Sequence, residues 1–232
     1  MKEALYDFEL GPLYGRALEN LKRSCGFDPG KEMHRRMLDE AVAMRGAWSR
    51  GARLMAATAV SEGCAPRGGA LEISGVRLEC AAFAQLDASR VGGAAVYAVS
   101  LSLGGAAAAE SVSEAFYEDL WGNAYVCAGV EALRERLAGE CGAGLSDSFG
   151  PGYYGMDISQ MKKLALLLDF GRIGARVEES SMISPLKSCA GLFFLLRGEI
   201  GMPEPSCISC AGDRGGCAFC SRNGQKWRTA AE

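Results

Sequence analysis

Basic charge, histidine and long apolar runs are all scarce in this 232-residue chain. Lysine and arginine number 25 against 28 acidic residues, a formal net charge of −3. That balance argues against a nucleic-acid carrier, which needs a basic face to displace counterions. The one histidine, His34, rules out a cage of two or three imidazoles. A nucleophile–histidine relay would rest on it alone. Ala94 to Ala109 is the longest apolar stretch, broken by Ser100, Ser102, Gly104 and Gly105. It falls short of the ~20 residues a membrane-spanning helix needs. Met1 to Asp7 shows no basic segment leading into an apolar core, so no secretory signal is visible and a cytoplasmic protein is expected. Cysteines there stay thiols or metal ligands. The phosphate-loop patterns G-x-G-x-x-G and G-K-(S/T) are absent.

Glycine and cysteine, by contrast, are plentiful, at 31 and 10 residues. The spacing predicts an α+β fold, a twisted and mostly antiparallel sheet with flanking helices, followed by a small Cys-rich metal knuckle. The domains are expected at 1–200 and 201–232. Residues 1–65 read as mostly helical, because Glu32 to Val60 is rich in strong helix formers. Leu71–Ser74 reads as a strand turning at Gly75. Tyr97, Val99, Leu101 and Leu103 alternate with small residues at strand period. Ser111-x-x-Glu114 has the form of a capping box and opens a long helix with Val112, Phe116, Leu120, Ala124, Cys127, Val130, Leu133 and Leu137 on its apolar face. A glycine-rich loop over 143–156 leads to a shorter helix starting at Asp157, with Gln160 as its capping partner. Strands are predicted over Ala175–Ile183 and Ser188–Leu196, joined through Pro185.

Two motifs carry chemistry. Pro151-Gly152-Tyr153 offers a stiffened approach, a permissive backbone and a flat aromatic face, a loop able to hold a small ligand through backbone groups at a helix start. Cys207-x2-Cys210-x6-Cys217-x2-Cys220 places two pairs of sulfurs on tight turns. Four thiolates suit structural zinc or an iron–sulfur cluster, and the spacing does not choose between them. The scattered Cys25, Cys64, Cys80, Cys127, Cys141 and Cys189 read as small hydrophobes, with Cys127 and Cys189 on core faces.

The stretch from Asp119 to Leu195 resembles the reactivation domain of cobalamin-dependent methionine synthase. The matching pieces come in order: Asp119-x-x-Gly122-Asn123-Ala124, then Glu131-Ala132, then Pro151-Gly152-Tyr153, then Leu166 to Asp169 with Ile173-Gly174. Glu179-Ser180, Met182, Pro185, Ser188 and Gly191 complete the series. The resemblance implies a site for S-adenosylmethionine built from Glu131, Ser148, Pro151, Gly152, Tyr153, Glu179, Ser180 and Ser188. It implies no catalytic residue of the chain's own, since the domain binds and orients the cofactor for reductive methylation of cob(II)alamin. No D-x-H-x-x-G cobalamin loop is present, so cobalamin would arrive on a partner, a methionine synthase or another corrinoid protein. Flavodoxin or ferredoxin would supply the electron. Two departures stand out. Better known members carry Arg where this chain has Ser148, and they continue past Gly191 into a strand with a ligand-touching tyrosine pair, where this chain turns into its cysteine cluster. The alternatives are an iron–sulfur redox accessory protein, motivated by the cysteines, and a non-catalytic adaptor of the same fold, motivated by Ser148.

Overall fold

The computed structural model describes residues 1–28, 30–49, 51–102 and 111–198. The expected knuckle at 201–232, with Cys207, Cys210, Cys217 and Cys220, lies outside the described residues, as does Leu103.

The centre is a five-stranded sheet. Its strands are β1 (Lys2–Phe8), β2 (Arg53–Glu62), β5 (Val91–Ser102), β9 (Ser188–Leu196) and β6 (Gly144–Leu145), in the order β1-β2-β5-β9-β6. Every neighbouring pair is antiparallel. Helices α1 (Leu10–Cys25), α2 (Glu32–Trp48) and α3 (Val112–Cys141) belong to one face, α1 and α2 both packing on α3. The other face carries the hairpin β3 (Ala70–Ile73) and β4 (Val76–Glu79), helix α4 (Gln160–Leu167) and the small ladder β7 (Arg176–Val177) with β8 (Ile183–Ser184).

Covering both faces explains the long apolar run. All but two residues of β5 are buried. Strands buried on both sides read as continuous hydrophobic sequence rather than as alternation. Tyr97, Val99 and Leu101 join the core under α1 and α3, while Ala94, Val96 and Ala98 join the opposite one.

The helical expectation for residues 1–65 fails at both ends. Lys2–Phe8 and Arg53–Glu62 are strands paired to each other. Ala56, Ala57 and Ala59 are good helix formers, but each is fully buried where small side chains let layers approach from both sides. Packing overrides propensity. The capping reading of Ser111 holds, its hydroxyl accepting from the Glu114 amide at 3.1 Å. Gly142, in the left-handed conformation, ends α3.

The buried face of α3 differs from the expected one. Val112 is 88% exposed and Phe116 46%, while Tyr117, Trp121 and Tyr125 are buried. These polar-tipped aromatics are held by α2. Trp121 Nε1 donates to the Ala41 carbonyl at 2.7 Å, and the Tyr117 hydroxyl to Glu40 at 2.9 Å. Cys127 is exposed rather than on the core face expected, whereas Cys189 is half-buried and packs against the core under α1 and α3, as expected.

Two further differences lie in the second half. Gln160 does not cap with Asp157; its side-chain oxygen accepts from the Glu79 amide at 3.1 Å and ties α4 to β4. Asp157 instead accepts from the Ser159 amide at 2.8 Å. The strand expected over Ala175–Ile183 is broken into β7 and β8 by the polar turn Glu178–Ser181, closed by Ser181 N to Glu178 O at 2.9 Å. The following strand, Ser188–Leu196, has the predicted limits. No described helix is long and apolar enough to cross a membrane.

Candidate functional site

Two of the sequence pieces far apart in the chain meet in space. On α3, Asp119 and Asn123 both engage the Lys187 ammonium, Asn123 Oδ1 at 2.9 Å. The Lys187 stem lies over Gly122, where an added Cβ would come within 2.9 Å of it. The Asp-x-x-Gly-Asn segment is therefore a seat for the lysine that leads into β9. That seat fixes where Ser188 to Gly191 begin.

The glycine-rich loop is pinned along the outer edge of β9. Arg134 of α3 donates to the Leu145 carbonyl at 2.8 Å and pairs with Asp147 at 3.0 Å. Ser146, 1% exposed, bonds both ways with Phe194: its amide donates to the Phe194 carbonyl at 3.0 Å, and its hydroxyl accepts from the Phe194 amide at 2.8 Å. Phe149 exchanges two backbone bonds with Leu192, at 2.9 and 2.8 Å. The crossing is so close that a Cβ on Gly191 would sit 2.5 Å from the Phe149 carbonyl oxygen. Only glycine fits there.

After Gly150 the chain bends away in a tight loop that satisfies itself. Tyr153 N donates to Gly150 O at 3.0 Å, Met156 N to Tyr153 O at 2.8 Å and Gly152 N to Met156 O at 2.8 Å. Gly152 has φ of 89°. Because these amides turn inward, the backbone groups expected to hold a ligand are occupied. Nor does the loop abut a helix start, since α4 begins at Gln160. What the loop presents outward is the Tyr153 ring, 64% exposed.

Ser148 lies at the mouth of this bend and shares a hydrogen bond with the hydroxyl of Tyr97, which is 3% exposed. Sequence reasoning passed over Tyr97. Its one signal was a hydroxyl-bearing aromatic in an otherwise apolar strand. Its ring stacks on Phe193 at 4.6 Å between centroids. Burial pushes the phenol well above its ordinary range, and the neighbouring Cys189 adds to the rise. Burial, with Cys127 nearby, likewise pushes the Cys189 thiol up to about 12. Both groups stay neutral near pH 7.

The remaining expected residues are spread out. Strand alternation turns Ser188 to the face opposite Tyr97, where its hydroxyl bonds to Ser100 at 3.0 Å. Glu131 is exposed on α3 and accepts from Asn20 of α1 at 3.2 Å. Glu179 and Ser180 are exposed in the turn between β7 and β8. Ser148, Pro151, Gly152 and Tyr153 thus form one unit against β9, with Glu131, Ser188 and the 179–180 turn as separate neighbours in the fold. A cleft of about 460 Å³ lies at the β3–β4 hairpin, and one of about 390 Å³ where β1 and β2 meet the end of α3. Neither is lined by these residues. Among the described residues, no group of three or more His, Cys, Asp or Glu is placed to hold a metal.

A crystal structure of the MetH reactivation domain bound to AdoHcy superposes with a TM-score of 0.62, covering 86% of this chain and 80% of that one, at 14% identity. The two share a fold. No protein-family profile and no curated protein matches the sequence. The likeness therefore rests on the path of the backbone: a curled antiparallel sheet with helices.

Proposed function

We propose that this chain binds S-adenosylmethionine and serves as a stand-alone reactivation subunit for a cobalamin-dependent methionine synthase. The observation that carries the reading is the shared fold with a reactivation domain that holds AdoHcy. The meeting of Asp119-x-x-Gly122-Asn123 with Lys187 supports it, since it joins pieces on which the sequence resemblance rests. Bound S-adenosylmethionine supplies a sulfonium methyl for cobalamin carried by a partner, with an electron from flavodoxin or ferredoxin.

The chain's own part is to bind and orient. Because the loop amides are already bonded, side chains do the holding. In this reading Tyr153 stacks on the adenine ring, Glu131 takes the ribose hydroxyls and Ser148 meets the amino-acid end. Pro151 and Gly152 shape the bend, and Glu179, Ser180 and Ser188 border the neighbouring surface. No general acid or base is required.

Isothermal titration with S-adenosylmethionine and AdoHcy tests this. Saturable binding is expected, weakened about tenfold or more by Tyr153→Ala, as for loss of a base–aromatic stack. Absence of heat with both compounds at millimolar concentration would remove the ligand assignment and leave the adaptor. The Cys207–Cys220 spacing favours a second reading, an iron–sulfur protein that delivers electrons to a corrinoid. Metal analysis with an electron paramagnetic resonance spectrum after dithionite separates the two, and zinc alone would end the second.

A further inference from the structure

Tyr97, buried on β5, shares a hydrogen bond with Ser148, the residue placed at the amino-acid end of the ligand. Strand pairing sets Tyr97 opposite Gly191 of β9. Directly opposed residues point to the same face of a sheet, and the missing side chain of Gly191 clears the way. A Cβ there would lie 3.2 Å from the Tyr97 hydroxyl. The phenol therefore crosses β9 and meets the loop on the other side of that strand. Its ring is held against Phe193, the two planes only 16° apart. The Ser148 backbone is held as well, since the next residue, Phe149, exchanges two bonds with Leu192.

Burial gives that bond its direction. The Tyr97 phenol is 3% exposed and stays protonated near pH 7. Among the described residues its hydroxyl makes no hydrogen bond except the one to Ser148. A buried hydroxyl proton goes to the acceptor within reach, so Tyr97 donates and the Ser148 oxygen accepts. Ser148 is half-buried, and its own proton is left to face the open side. A hydroxyl that accepts a bond gives its own proton more strongly. A carboxylate only accepts, which suits that free proton. We infer that Tyr97 is a positioning residue of the proposed S-adenosylmethionine site: it fixes Ser148 as a donor and so selects adenosyl sulfur compounds that carry a carboxylate. The assignment rests on that proposed site.

Titration of the full chain with AdoHcy and with methylthioadenosine tests it, the second keeping the adenosyl thioether and lacking the amino-acid end. AdoHcy is expected to bind about tenfold more tightly or better, as for a hydrogen bond to a charged group. Tyr97→Phe keeps the ring on Phe193 and removes the donor. It is expected to weaken AdoHcy about fivefold and to leave methylthioadenosine unchanged. Ser148→Ala is expected to close the gap between the two ligands, with Tyr97→Phe adding nothing further to it. A structural role alone would disturb the loop and its Tyr153 ring and weaken both ligands alike. That result would overturn the assignment, as would an unchanged ratio in Tyr97→Phe. Should Tyr97→Phe fail to fold, Ser148→Ala decides by the same ratio, which must collapse. Equal binding of both ligands by the unaltered chain would overturn the assignment alone, whereas binding of neither would remove the site and the assignment with it.

Discussion

Single atoms decide the geometry around β9. Gly191 is required for closeness rather than for a special dihedral, since the Phe149 carbonyl lies where its side chain would start. That oxygen belongs to backbone paired with Leu192 and cannot step aside cheaply. Gly191→Ala is expected to destabilise the protein by about 2 kcal/mol or more, read from urea unfolding. Gly122→Ala makes the contrasting case. There the obstacle is the flexible Lys187 stem, and alanine gains about 1 kcal/mol of helix propensity. Near-neutral stability is expected, and a loss as large as that of Gly191→Ala would contradict the seat described for Lys187.

Among the elements, α3 does the most positioning. Its 30 residues carry the Lys187 seat near one end and the Arg134 clamp near the other, so one rigid helix orients both β9 and the glycine-rich loop. Its start depends on Ser111. Ser111→Ala is expected to cost about 1 kcal/mol through loss of the cap, again by urea unfolding. A change of only a few tenths would mean that packing of Tyr117 and Trp121 alone fixes that end. The elements also show where sequence patterns suffice. Ser188–Leu196 and the capped start of α3 are legible because β-rich composition, Pro185 and the Ser-x-x-Glu spacing act locally. Lys2–Phe8 and Arg53–Glu62 are not legible, because each becomes a strand only by pairing with the other. Tyr97 escaped for the same reason: its partner Ser148 is distant in sequence.

Across the whole molecule, acidic side chains held neutral by burial set the alkaline limit. Cys189 is pushed up to about 12 by burial and Cys127, and Tyr117 to about 12 by burial and its bond to Glu40. In the unfolded chain the thiol titrates near 8.5 and the phenol near 10. Between those values and about 12 the unfolded state has lost protons that the folded state keeps, so stability falls as pH rises. Below about pH 8 this contribution is fully present. Urea midpoints measured at about pH 8 and about pH 10 are expected to drop across the interval, with a smaller drop in Cys189→Ala. Equal drops in both proteins would remove Cys189 from the account.

The sequence by itself determined the α+β class, the late strand and its turn, the long capped helix, and the ordered residues that resemble a reactivation domain. Those features depend on neighbours a few positions away or on residue identity alone. Only the tertiary structure decided that the alanine-rich segment of β2 is a strand, that the loop amides around Gly152 turn inward, and that Ser188 faces away from Tyr97. Each follows from contacts between distant segments, where burial on two faces and the parity of a strand outweigh local preference.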